Sequence, residues 1–258
     1  MPLILLLIFA VSTEVFFSDP DCTIPESIQY EDVRTGNGAI IREDTIIEID
    51  VTIMLQDGRV ISSTEWHGVP IRMVYGTDEI LDGIDTGICG MRVGGKRSLN
   101  IPPELAFGIF SDHQAVPDNS TIVAEVQVRN MFEMPEQWNV SEDKFQESES
   151  GLKYAVYEEG SGDVSEEGDF VEVFYNGYLE DGTMFASSVI NNTHFGFRIG
   201  DSAIIDGVQE GVTGMRLNER RILVIPPELG YGTSVPEYGI PANATLYFNL
   251  ELLYIGKD

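Results

Sequence analysis

Sliding this chain against itself by 124 residues gives a match that needs no insertion. Tyr30 falls on Tyr154, Gly36 on Gly160, Asp57-Gly58 on Asp181-Gly182, and Asp82-Gly83 on Asp206-Gly207. Gly90-Met91-Arg92 meets Gly214-Met215-Arg216, and Ile101-Pro-Pro-Glu-Leu105 recurs as Ile225-Pro-Pro-Glu-Leu229. A period this long describes two copies of one domain rather than a solenoid. The copies are expected over 24–132 and 151–258. Between them the stretch 133–150 carries six acidic residues and one lysine, and reads as an exposed acidic linker or an irregular lead-in strand.

Within each copy the pattern is mostly strand. Phe170–Asn176 alternates with period two and runs into Leu179-Glu-Asp-Gly182, a hairpin turn. Arg220–Ile225 stops at a Pro-Pro, and Thr245–Leu253 predicts a long final strand. One short helix is expected between Ile205 and Gly214, where Val208 and Val212 share a face; its counterpart is Leu81–Gly90. The fold class is therefore α+β: two copies of an antiparallel sheet, of five or so strands, curled over one short helix.

Met1–Val11 is an apolar run too short to span a bilayer, followed by small residues. It reads as a signal peptide (residues 1–17), with cleavage between Ser12 and Ser18. No later run reaches the roughly 18 apolar residues of a membrane anchor. Four N-x-[ST] sequons, at Asn119, Asn139, Asn191 and Asn243, agree with the endoplasmic reticulum lumen or secretion. In an oxidising compartment the two cysteines, Cys22 and Cys89, are expected to pair, with two free thiols as the alternative. Two cysteines and three scattered histidines fit no metal site. A net charge of −28 argues against nucleic acid as a partner, since phosphates would be repelled.

Several local patterns imitate catalytic motifs. Gly90–Lys96 nearly spells a P-loop, but Arg97 follows where Ser or Thr belongs, and the other copy breaks the glycines with Asn218 and Glu219. It is a glycine-rich turn. Asp82/Asp85 and Glu166-Glu167 are read as solvated surface carboxylates.

Tyr175-Asn-Gly-Tyr-Leu-Glu-Asp-Gly182, Phe185, Gly207-Val-Gln-Glu-Gly211 and Ile225-Pro-Pro-Glu-Leu-Gly-Tyr-Gly232 resemble the FKBP family of macrolide-binding prolyl isomerases. So do Ile240-Pro241 and Ala244-Thr-Leu…Phe248…Glu251-Leu-Leu253. The resemblance covers the second copy whole and reaches the first through the repeat. It implies a catalytic set of Tyr175, Phe185, Tyr231 and Phe248. The pocket for substrate or macrolide would be completed by Phe195, Ile204, Ile205, Val208 and Ile240. The Ile205 N–H and the Tyr231 hydroxyl would donate hydrogen bonds to a bound carbonyl. It implies no cofactor and no metal, with proline-containing client polypeptides and macrolides as partners. Three positions depart from the family: Ala186 stands for the usual carboxylate, Val208 for the usual tryptophan, and the flap histidine is missing near Pro236. In the first copy the same places hold Val51, Ile61, Ser62, Ile71, Ile80, Leu81, Ile84, Phe107, Val116 and Ala124. That aliphatic set reads as packed core, in a structural or protein-binding module. The leading reading is a lumenal prolyl isomerase active in its second copy; the alternative is a non-catalytic chaperone or scaffold.

Overall fold

The computed structural model describes residues 22–77, 79–108, 111, 113 and 115–257; the expected signal peptide lies outside them. The chain forms two compact units that divide between Met131 and Phe132, except that Arg72–Val74 cluster with the second unit although their strand belongs to the first sheet. In the first, β1 (Gln29–Arg34), β2 (Thr45–Leu55), β3 (Val60–Ser63), β4 (Ile71–Val74), α1 (Asp82–Gly87), β5 (Lys96–Ile101) and β6 (Ile122–Glu133) follow in order. In the second, β7 (Gln146–Glu147) precedes β8 (Lys153–Glu158), β9 (Phe170–Tyr178), β10 (Met184–Ser187), β11 (Phe195–Arg198), α2 (Asp206–Val212), β12 (Arg220–Ile225) and β13 (Leu246–Gly256).

The sheets share one topology. The first runs β1-β5-β6-β2-β3 with β4 on β2; the second runs β10-β9-β13-β12-β8-β7 with β11 on β9. They hold six and seven strands rather than five. The extra strands are short: β11 buries only one of its four residues, so it shows no alternation to read. The hairpin turns are alike, with Gly58 and Gly182 at φ +88° and +85° and each carried by a preceding Asp that accepts the next N–H.

The helix lies very close to the sheet, and glycine is the reason. A Cβ at Gly207 or Gly211 would collide with Ile225 or Leu223 of β12, as one at Gly83 or Gly87 would with Ile101 or Leu99. Val208 and Val212 then reach the core, which gathers Val171, Val173, Leu223, Leu250 and Leu252. A buried arginine closes the helix end in each copy. Arg221 Nη1 donates to the carbonyls of Gly211 and Thr213; Arg97 Nη1 donates to those of Gly87 and Cys89. These carbonyls have no partner within the helix, so the guanidinium satisfies them.

Cys22 and Cys89 are joined, with Cα atoms 5.8 Å apart across 67 positions of sequence. Such a loop closure is typically worth about 2–4 kcal/mol. One surface reading is corrected. Asp85 is 4% exposed inside α1, where it accepts the Gly76 N–H, so a turn-like pattern concealed a buried carboxylate.

The segment 133–150 packs on the second sheet. Tyr178 donates its hydroxyl to the Pro135 carbonyl, Asn249 Nδ2 donates to the Glu136 carbonyl, and Trp138 stacks on Tyr157 at 4.8 Å. Burial pushes the Tyr178 phenol up to about 12. A group with a raised folded pKa contributes stability that is intact below its unfolded value of about 10 and lost as pH climbs through the folded value. Between about pH 10 and 12 the strap should therefore loosen, changing Trp138 fluorescence in a Trp66→Phe background. Tyr178→Phe should remove that step; an unchanged step would sink the assignment.

Candidate functional site

In β9 Val173, Tyr175 and Gly177 share the inner face by strand alternation. Across the ladder Tyr175 pairs with Leu250 and Gly177 with Phe248 of β13. Phe185 is the bulged residue of β10, skipped between the pairs Met184–Tyr178 and Ala186–Gly177. A bulge re-aims its side chain, and here it brings Phe185 over the glycine. A Cβ at Gly177 would lie 2.6 Å from Phe185 Cζ and 3.1 Å from Phe248 Cε1. Gly177 thus makes the room in which the two rings meet.

The result is a pocket of about 140 Å3 lined by aromatic and aliphatic groups. Phe248 contacts Phe185 edge-on at 5.6 Å and Tyr175 at 6.0 Å, and Tyr175 meets Phe195 edge-on at 5.5 Å. Edge-to-face pairs at these distances are favourable beyond the area they bury. Ile204, Ile205 and Val208, at the entrance to α2, contribute aliphatic lining. Of the residues expected here, Tyr175, Phe185, Phe195, Ile204, Ile205, Val208, Tyr231 and Phe248 come together. Ile240 does not line it; at 2% exposure it belongs to the core. Val173, Ala203 and Leu250 line the pocket although the motifs did not single them out. Val173 and Leu250 could have been found by stepping two residues along each strand from Tyr175 and Phe248.

The polar groups are few. Burial, with neighbouring Tyr231 and Tyr238, holds the Tyr175 phenol above its ordinary pKa; burial and Tyr238 do the same for Tyr231. Both hydroxyls are therefore protonated donors at neutral pH. Neither has a hydrogen-bond partner among the described residues, and Ala186 beside them offers no acceptor. Ile205 sits just before α2 at φ −59°, ψ 140°, and its N–H also lacks an acceptor among the described residues. An apolar cavity with three free donors can hold a carbonyl-bearing apolar ligand and orient it.

In the first copy the bulge persists at Ile61, skipped between Ile53–Ser62 and Met54–Val60. Volume has moved across the ladder: Ile53 replaces the glycine and Ala124 replaces the phenylalanine. Val51, Ile53, Ile84, Val116 and Ala124 are all 8% exposed or less, a packed interior.

The sequon residues Asn119, Asn139, Asn191 and Asn243 are all exposed. Asn119 and Asn243 take left-handed backbones at equivalent turns, with φ +53° and +58°. Among the described residues no cluster of His, Cys, Asp or Glu could hold a metal ion, and no helix is long and apolar enough to cross a membrane.

The family model described as FKBP-type peptidyl-prolyl cis-trans isomerase matches residues 38–129 and again 162–253. The human protein named peptidyl-prolyl cis-trans isomerase FKBP9 is 31% identical over 245 residues, 94% of this chain but 38% of that protein. Mouse peptidyl-prolyl cis-trans isomerase FKBP2 is 47% identical over 93 residues, 36% of this chain and 66% of its own. Among solved structures, FkpA from Escherichia coli is 39% identical over 45% of this chain and 53% of that one, with a TM-score of 0.41. The chain thus spans well under half the length of its longer relative.

Proposed function

Because this chain belongs to the FKBP-type peptidyl-prolyl cis-trans isomerases, we propose that its second domain isomerises prolyl bonds of client polypeptides in the secretory pathway. The observation that carries the reading is an aromatic pocket with free donors at Tyr175, Tyr231 and Ile205. Rotation about a peptide bond faces a barrier of about 18–20 kcal/mol, and no nucleophile is needed to lower it. The twisted amide has lost resonance and hydrates less well, so a dry aromatic wall favours it over the planar form. The Ile205 N–H and the Tyr231 hydroxyl hold the substrate carbonyls while the bond turns. A macrolide presenting a similar carbonyl against an apolar ring fits the same donors and competes.

A second reading has its own support. Ala186 and Val208 remove the carboxylate and the indole that the family usually carries, which favours a binder that turns over slowly. Ala186→Asp decides between them. The new carboxylate would accept the Tyr175 hydroxyl, and one such bond is typically worth about 0.5–1.5 kcal/mol. The kcat/KM of the full chain on a prolyl peptide should then rise roughly two- to ten-fold. No turnover by either protein, with macrolide binding retained, would leave the binding module in place of the enzyme.

A lumenal or secreted location is supported by the Cys22–Cys89 bridge, the apolar amino-terminal run and four exposed sequons. Peptide mass mapping of the protein made in a secretory host should find the bridge and glycans on some of the four asparagines. A fully reduced, unglycosylated product would sink the location.

A further inference from the structure

Corresponding turns of the two copies differ at three positions, and only the last of these exchanges a charged side chain for none. In the second copy the turn Arg216–Glu219 ends on a buried glutamate, 3% exposed. Its Oε2 accepts the Arg216 N–H at 3.0 Å, and its Oε1 accepts Arg221 Nε at 2.8 Å. In the first copy the turn Arg92–Gly95 has the same backbone. Gly95 N–H donates to the Arg92 carbonyl as Glu219 N–H does to that of Arg216. Arg92 Nη1 reaches the Gly38 carbonyl at 3.1 Å, as Arg216 Nη1 reaches that of Gly162. The glutamate, however, is replaced by Gly95, and what remains is a cavity of about 230 Å3.

Arg34, Arg92 and Arg97 line that cavity, with Gly36, Gly95 and Asp32. Asp32 neutralises Arg97, accepting its Nε at 2.7 Å and Nη2 at 3.3 Å. Arg34 and Arg92 make no ion pair among the described residues; their side chains donate to backbone carbonyls. The Arg92 N–H, whose counterpart holds Glu219, has no acceptor among the described residues. In a chain of net charge −28 the lining therefore keeps two uncompensated guanidiniums and a free donor where its twin keeps a carboxylate.

We propose that this cavity is a carboxylate-binding site, which takes from outside the acidic group that the second copy supplies from its own chain. The bound oxygen accepts the Arg92 N–H, and Arg34 and Arg92 supply the charge. Hydrogen bonds to an ionised acceptor are about twice as strong as neutral ones. The stem length is that of a glutamate side chain, since that is what fills the equivalent space in the twin.

The test is titration of the isotope-labelled full chain, followed by the amide resonances of Arg92, Gly36 and Gly95. Propionate, which is the glutamate side chain without its backbone, and acetyl-Gly-Glu-Gly-amide both present the group; propionamide is the neutral control. Saturable shifts with both acids and none with propionamide are expected. Tighter binding of the peptide assigns the source to a polypeptide, and tighter binding of propionate assigns it to a free acid. Gly95→Glu should abolish the shifts by filling the site from within. A Cβ there would lie 2.9 Å from the Arg92 carbonyl oxygen, a backbone atom, so the turn itself must shift to admit the side chain. Arg34→Glu is the second variant: it places on an exposed strand the residue that the other copy carries as Glu158. It should weaken binding ten-fold or more. Absence of saturable shifts in the parent chain, equal shifts with propionamide, or unweakened binding in Arg34→Glu would overturn the proposal.

Discussion

Truncating Phe248 to Ala should abolish prolyl isomerisation by the full chain and destabilise its second domain by about 3–5 kcal/mol. The ring is 5% exposed and touches both Phe185 and Tyr175, so its removal opens the pocket wall and leaves a cavity beneath it. Loss of activity in that variant alone would not separate chemistry from unfolding. Phe248→Leu does. It keeps much of the apolar volume and so costs the domain less than truncation to Ala. It loses two aromatic pairs, each worth about 0.5–1.5 kcal/mol beyond area. Urea unfolding should show a folded domain while kcat/KM falls roughly five- to one-hundred-fold. Full activity in a folded Phe248→Leu protein would refute the aromatic wall as the source of catalysis.

Arg221→Ala should cost about 3–5 kcal/mol, as large a loss as any single change outside the pocket. The reason is less the attraction that is lost than the charge left behind. Glu219 is 3% exposed and would be left buried without its guanidinium partner, and the Gly211 carbonyl at the end of α2 would be orphaned. Replacing both partners, Arg221→Leu with Glu219→Leu, removes the stranded charge and leaves an uncapped helix end and an Arg216 N–H without its acceptor. That double variant should recover more than half of the single variant's loss in urea unfolding. A double variant no more stable than Arg221→Ala would show that the carbonyl contacts, rather than the carboxylate, account for the effect.

Local signals carried much of the fold. The Asp-Gly turns, the Pro-Pro that ends β12 and the period-two run through β9 each act over a few residues, so strand and turn positions could be read directly. The helix was equally legible, because Val208 and Val212 share a face whatever surrounds them. Eight of the nine residues that the family motifs point to line one pocket. Ile240 was the exception. Its apolar character was evident, but whether an apolar residue lines a cavity or fills the core depends on what packs around it.

The duplication, the α+β class and the family were thus determined by the sequence itself. Each rests on spacing along the chain, and spacing survives without coordinates. Only the tertiary structure decided how each copy spends its interior. Gly177 leaves room for two rings, whereas Ile53 fills the equivalent space, and the difference acts across a ladder between strands far apart in sequence. The same holds for the buried arginines. Arg221 is neutralised by Glu219, two residues away, and Arg97 by Asp32, 65 residues away. Glycine at position 95 reads in one dimension as turn chemistry. In three dimensions it is the place where Asp32 of a distant strand takes over the neutralisation that Glu219 gives its own arginine, because a buried guanidinium answers to whatever acceptor lies nearest in space.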